Sequence, residues 1–144
     1  MASRPPLRVF LDTNVLFSGA YSASGSPRRL LDGAARGQFQ PVVSRTVLDE
    51  LVRNLRNKAT RALPVWEKIF REVSFEIAVE PPRRKIDRWL EMGLGSDAPI
   101  IAAALHARVD NFCTGDKRVL GRGRRGDLGG LEIISPAALL RLLR

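Results

Sequence analysis

The run Arg8-Val9-Phe10-Leu11 stops on Asp12 and resumes as Thr13-Asn14-Val15-Leu16. Val9, Phe10 and Leu11 have the β-branched and aromatic bias of a fully buried strand, the kind that belongs to a parallel sheet covered by helices. Asp12 therefore stands where that strand ends. Open α/β sheets place their ligands at the carboxyl ends of parallel strands, so a carboxylate here is positioned to act on something. Asp is also a favoured helix N-cap, and on this stretch alone the two readings weigh the same. Other carboxylates in matching places are needed to decide.

The rest of the chain alternates as such a sheet requires. Ser26-Pro27 opens a helix through Ala35, and Gly37 ends it. Gln40–Val43 is a short strand, and Ser44 caps a helix through about Leu55 with Val47, Leu48, Leu51, Val52 and Leu55 turned inward. Arg61–Glu72 is a further helix. Phe75, Ile77 and Val79 alternate with Glu76, Ala78 and Glu80, which predicts a strand exposed on one side or at an edge. Arg83–Met92 is a helix ended by Gly93-Leu94-Gly95, after which Ser96 caps an apolar helix from Asp97 to about Ala107. Val109–Cys113 and Leu131–Ile134 are short strands, and Ser135-Pro136 opens a C-terminal helix. Between them lie the turn Thr114-Gly115-Asp116, a helical turn Lys117–Leu120, and a segment 121–126 expected to be a flexible loop. The sum is one α/β domain over residues 1–144, with a parallel sheet helix-covered on both faces.

Charge narrows the partner. Lys plus Arg number 24 against 15 Asp plus Glu, a formal net charge of +9. That balance suits a polyanion. Twenty of the 24 cations are Arg, whose fork contacts phosphate and stacks on bases, so nucleic acid fits better than a membrane surface. No apolar run is long enough to cross a bilayer, and Met1-Ala2-Ser3-Arg4-Pro5-Pro6 carries no hydrophobic signal segment. Cys113 is the only cysteine, which rules out an intrachain disulfide. These features together lead us to expect a cytoplasmic protein.

Three further acids answer to Asp12. Asp97 shares a helix face with Ile100, Ile101, Ala104 and Leu105 at i+3, i+4, i+7 and i+8, so it lies on the buried side of the first turn. An inward carboxylate needs donors or a cation. Asp116 follows a short apolar strand as Asp12 does, although Gly-Asp is also ordinary turn chemistry. In the helix after Ser44 both Asp49 and Glu50 flank the apolar stripe. Asp49 has Arg53 at i+4 to explain it and Glu50 has Asn54, which makes Glu50 the better site candidate. His106, Cys113, Trp66 and Trp89 read as a helix-terminal residue, a packing thiol, and core or interface aromatics.

Leu11-Asp12-Thr13-Asn14-Val15-Leu16, Ser44 through Glu50-Leu51, Asp97-Ala98-Pro99-Ile100-Ile101, and Cys113-Thr114-Gly115-Asp116-Lys117 resemble, in order, the four acidic motifs of the PIN domain. The resemblance spans about residues 8–137 and is nearest to the small single-domain toxins (VapC-like) of toxin-antitoxin pairs. It implies a three-layer fold around a parallel sheet of four to five strands, and a metal-dependent ribonuclease. By that resemblance Asp12, Glu50, Asp97 and Asp116 bind Mg2+ or Mn2+ and cleave RNA to 5′-phosphate and 3′-hydroxyl ends, with Asn14 and Thr114 supporting them. A donor set of carboxylates without His or Cys suits those hard cations and not zinc. Arg122, Arg124 and Arg125, in the expected loop beside Asp116, are candidate contacts for substrate phosphates. The family also implies a cognate antitoxin and a homodimer or higher homo-oligomer. Pro99 departs from the family pattern; it is tolerated in a first helical turn but can displace the Asp97 backbone.

Two other readings compete. Asp12-Thr13-Asn14 after a strand also resembles phosphotransferases of the haloacid dehalogenase type, which require a second Asp two positions on, where this chain has Asn14. A noncatalytic RNA- or protein-binding module is the other, and it ranks lower because all four acids are present.

Overall fold

The computed structural model describes residues 5–143, so the outermost residues of the 1–144 range, Met1 to Arg4 included, lie outside the described residues. Five parallel strands form one sheet: β1 (Arg8–Leu11), β2 (Gln40–Val43), β3 (Glu76–Ile77), β4 (Asn111–Cys113) and β5 (Ile133–Ile134), in the order β3-β2-β1-β4-β5. The helices are α1 (Thr13–Tyr21), α2 (Ser26–Ala35), α3 (Arg45–Lys58), α4 (Leu63–Glu72), α5 (Arg83–Glu91), α6 (Ala98–His106), α7 (Lys117–Arg124) and α8 (Pro136–Leu142). The α/β class and the parallel sheet are those the sequence predicts.

β1 lies at the centre because every one of its apolar residues can be buried: Val9, Phe10 and Leu11 are each fully enclosed. Its register with β4 sets Phe10 beside Phe112, their rings stacked 5.4 Å apart. Chain order runs outward from β1 to β2 and β3 on one side, and through β4 to β5 on the other. The gap between β1 and β4 is thus the point where the direction of winding reverses, and the crevice above it is where such sheets bind ligands.

Several expectations shift in detail. β3 is an edge strand, as expected, but its ladder is only two residues long, and the buried residue just after it is Ala78 while Ile77 and Val79 are exposed. The alternation holds at Phe75, which packs against Trp66 and Phe70, and fails beyond it. Ser96 caps nothing: Gly95–Asp97 form a 3-10 turn, and Asp97 leads into α6 with helical backbone angles and no side-chain cap bond. The largest difference is at 121–126. Most of this stretch is helical, because α7 continues to Arg124. Gly123 explains it, since a Cβ there would collide with the Ile133 side chain on β5. Glycine serves close packing of α7 on the sheet, not flexibility.

Candidate active site

Register builds the site first. Leu11 pairs with Cys113, and the ladder runs one step further as the Asp12 amide donates to the Cys113 carbonyl at 3.0 Å. Asp12 and Thr114 are consequently neighbours at the carboxyl edge. Asp12 caps α1 through an Oδ1 bond from the Thr13 amide (2.8 Å), and Asp116 caps α7 through an Oδ1 bond from the Arg118 amide (2.9 Å). Cap and site are not alternatives here, because one carboxylate oxygen serves each helix start and leaves the other for further contacts.

A bonded frame fixes these acids. The Thr114 hydroxyl donates to Asp12 Oδ2 at 2.9 Å and accepts from the Asn14 amide nitrogen (3.1 Å) and the Asp116 backbone amide (3.0 Å). Asn14 also donates to Asp12 Oδ2 at 3.1 Å, while its carbonyl oxygen accepts from the Gly115 amide at 2.8 Å. A Cβ on Gly115 would lie 3.3 Å from that oxygen, a tight contact that would press on Asn14.

Asp12, Glu50, Asp97 and Asp116 border one open cleft of about 290 Å3. Asp12 comes from the end of β1, Glu50 from the second turn of α3, Asp97 from the entry to α6, and Asp116 from the start of α7. All four acids singled out in the sequence thus face the same space. Asp49 is exposed and lies outside the cleft, and among the described residues it forms no ion pair with Arg53. Pro99 occupies the second position of α6, where a missing N–H costs nothing, and Asp97 still reaches the cleft.

The electrostatics show strain. Burial pushes the Asp12 carboxyl up to about 6, partly countered by the Thr114 and Thr13 hydrogen bonds and reinforced by the charges of Asp97 and Glu50. Asp97 is raised as well, first by burial and then by Asp116, with Arg118 and Arg122 opposing. Like charges close together in partial burial favour any cation that joins them. The buried Thr13 hydroxyl, which also borders the cleft, has no hydrogen-bond partner. Among the described residues no three carboxylate, imidazole or thiolate groups could hold one ion as they stand. Oxygen donors, excess negative charge and room for water fit a hydrated hard cation.

Of the predicted arginines, Arg122 on α7 acts electrostatically on Asp97. Arg125 instead pairs with Asp127 at 3.1 Å, and none of Arg122, Arg124 and Arg125 borders the cleft. Sequence reasoning missed Arg118, whose guanidinium stands 3.6 Å from Asp116. Asn54 and Lys58 also border the cleft; their i+4 and i+8 spacing from Glu50 was the available signal. Cys113 is buried beside Asp12 with its thiol pushed up to about 12, so it stays protonated packing. His106 is remote, with Nδ1 3.0 Å from Lys85 Nζ, and both tryptophans are buried.

The family model of the PIN domain matches residues 8–118, a span that holds all four acids. The chain belongs to the PIN domain family. In fold this PIN domain is similar to PAE2754 from Pyrobaculum aerophilum, with a TM-score of 0.70 and 18% identity, covering 95% of this chain and 89% of that one. It is also similar to the structure of VapBC2 from Rickettsia felis bound to a DNA fragment from their promoter (TM-score 0.67, 14% identity, 90% and 98% covered). FitAcB from Neisseria gonorrhoeae aligns at a TM-score of 0.50 and 16% identity, covering 89% and 97%. At these identities the likeness is one of fold. No curated protein matches the chain significantly in sequence. Among the described residues no helix is long and apolar enough to cross a membrane.

Proposed function

We propose that this PIN domain is a Mg2+- or Mn2+-dependent ribonuclease that hydrolyses RNA phosphodiester bonds, leaving 5′-phosphate and 3′-hydroxyl ends. The observation that carries the reading is the meeting of four acids, from four separate segments, in one cleft at the winding reversal of the sheet. Asp12, Asp97 and Asp116 would hold the ion directly or through water, and Glu50 would complete the shell or orient a water. A divalent ion bound there supplies Lewis acidity, an activated water and stabilisation of the leaving oxygen. Asn14 and Thr114 each donate one hydrogen bond to the Asp12 carboxylate and are bonded to one another, which keeps its remaining oxygen surface in one place. Arg118 and Arg122, whose charges act on Asp97, would supply counter-charge to a substrate phosphate, and the +9 chain would draw RNA toward an acidic centre.

The fold likeness to VapBC2 and FitAcB supports a role as the toxin of a toxin-antitoxin pair acting in the cytoplasm, with an antitoxin peptide covering the acidic cleft. Incubating a labelled single-stranded RNA with Mg2+ or Mn2+ tests the chemistry. Cleavage that disappears with chelator and in Asp97→Asn supports it. Equal cleavage in Asp97→Asn or without divalent ions contradicts it, and RNA binding without any cleavage leaves the noncatalytic module.

A further inference from the structure

Helices α1 and α3 both start at the carboxyl edge of the sheet and pack against each other. Their facing sides form two walls that run away from the acids. On α1 the wall is Thr13, Phe17 and Tyr21, spaced i, i+4 and i+8; on α3 it is Glu50, Asn54 and Lys58 at the same spacing. Phe17, Asn54 and Lys58 border the acidic cleft. Beyond them a second hollow of about 530 Å3 opens, bordered by Tyr21, Lys58, Thr60 and Arg61. Lys58 borders both, so the two spaces adjoin.

Charge changes along this path. At one end stand four carboxylates; in the middle are the amide of Asn54 and the hydroxyl of Ser18; at the far end are the exposed cations Lys58 and Arg61, with no acidic residue on the second hollow. The aromatic feature is equally specific. Tyr21 is 67% exposed, and its ring stacks on Phe17 with centroids 5.9 Å apart and planes 14° from parallel. A tyrosine face left open to water forgoes apolar burial that a ligand stacked on it would recover. Phe17 packs beside the ring in an offset stack, and most of Tyr21 stays open to water. Thr13 to Tyr21 spans ~12 Å along the α1 axis, which sets the aromatic platform beyond the acids and not among them.

We infer that this hollow is a binding subsite for single-stranded RNA, in which a base next to the cleavage position stacks on Tyr21 while Lys58 and Arg61 hold the adjoining phosphates. The inference rests on the proposed ribonuclease reading and adds to it a strand path and a selection for unpaired RNA. Every base has a π-face, so a stacking platform tolerates many sequences, and two cations beside it follow the backbone. A base inside a duplex is already stacked on both sides and cannot use the platform.

Binding can be measured apart from cleavage, by fluorescence anisotropy of a labelled uridine homopolymer with chelator present. Tyr21→Ala is expected to weaken binding at least about fivefold, whereas Tyr21→Phe and the remote surface variant Arg141→Ala stay within about twofold of the parent. The Lys58→Ala, Arg61→Ala double variant lowers the slope of log affinity against log salt by about 0.7 for each phosphate no longer neutralised. Affinity for a duplex RNA of equal length is expected not to depend on Tyr21. Unchanged single-strand affinity in Tyr21→Ala overturns the inference and leaves Tyr21 as a protein-docking residue. An equal loss in Tyr21→Phe, or for the duplex, overturns it too. If Tyr21-dependent binding is present but no RNA is cleaved with metal, the ribonuclease reading fails alone; cleavage without Tyr21-dependent binding leaves only the subsite wrong.

Discussion

The two edges of the same sheet treat charge in opposite ways. At the amino edge, the Arg8 guanidinium donates to Glu76 (Nε to Oε1, 3.0 Å) and to the Ala107 carbonyl (2.8 Å), while the Arg8 amide donates to Asp110 at 2.8 Å. Charges there are paired, and the Arg8 side chain ties β1 to the strand two places away. At the carboxyl edge four acids gather, Asp12 is pushed up to about 6, and Asp97 is raised with it. One edge pairs its charges, and the other gathers like charges that a bound cation would offset. Carboxylates raised by burial and by one another in a cleft mark a candidate functional site.

Substitutions at the two edges should therefore separate activity from stability. Asp116→Asn gives the largest effect: RNA cleavage drops at least about 100-fold while thermal stability is nearly unchanged, because Asn caps α7 as well as Asp does. A cleavage assay beside a melting curve reads both, and a large loss of stability would break the comparison. Next comes pH. In chelator, Asp12 in the folded chain holds its proton across the window from 3.8 to about 6, where the unfolded chain has lost it. Folded protein binds more protons there, so stability falls as pH rises through the window, by up to ~3 kcal/mol for a shift of about two units. Denaturant midpoints should show this slope in the wild type and a flatter profile in Asp12→Asn, and Mg2+ should recover stability at neutral pH.

Arg8→Ala should do the reverse of Asp116→Asn, costing ~1–2 kcal/mol by urea denaturation with cleavage preserved. The smallest effect is expected from Arg118→Ala. Arg118 lowers Asp97, so its loss moves the pH–rate profile slightly upward, with little change in the maximal rate.

The features legible in the sequence are those with local causes. Asp12 and Asp116 are visible because apolar strands stop on them, and Asp97 because its spacing to Ile100, Ile101 and Ala104 places it inward. Glu50 can be separated from Asp49 only by the absence of an i+4 cation, and it is the packing of α3 beside α1 that sets it in the cleft. Features with tertiary causes are not legible in this way. Gly123 reads as a loop residue until Ile133 accounts for it. The Phe75–Val79 alternation shows an edge strand but not how far its pattern holds: Phe75 packs on the core while Ile77 and Val79 are exposed, since a two-residue edge ladder bonded on one side does not hold a pattern in register. Tyr21 carries no signal on its own, because its place beside Lys58 depends on two helices meeting.

Calorimetric titration of Mn2+ into the protein at neutral pH tests most directly whether the carboxyl edge is a cation site. Saturable binding is predicted in the wild type, lost in Asp97→Asn and retained in Arg8→Ala. Equal Mn2+ binding by wild type and Asp97→Asn, or none by the wild type, would contradict a cation site at that edge.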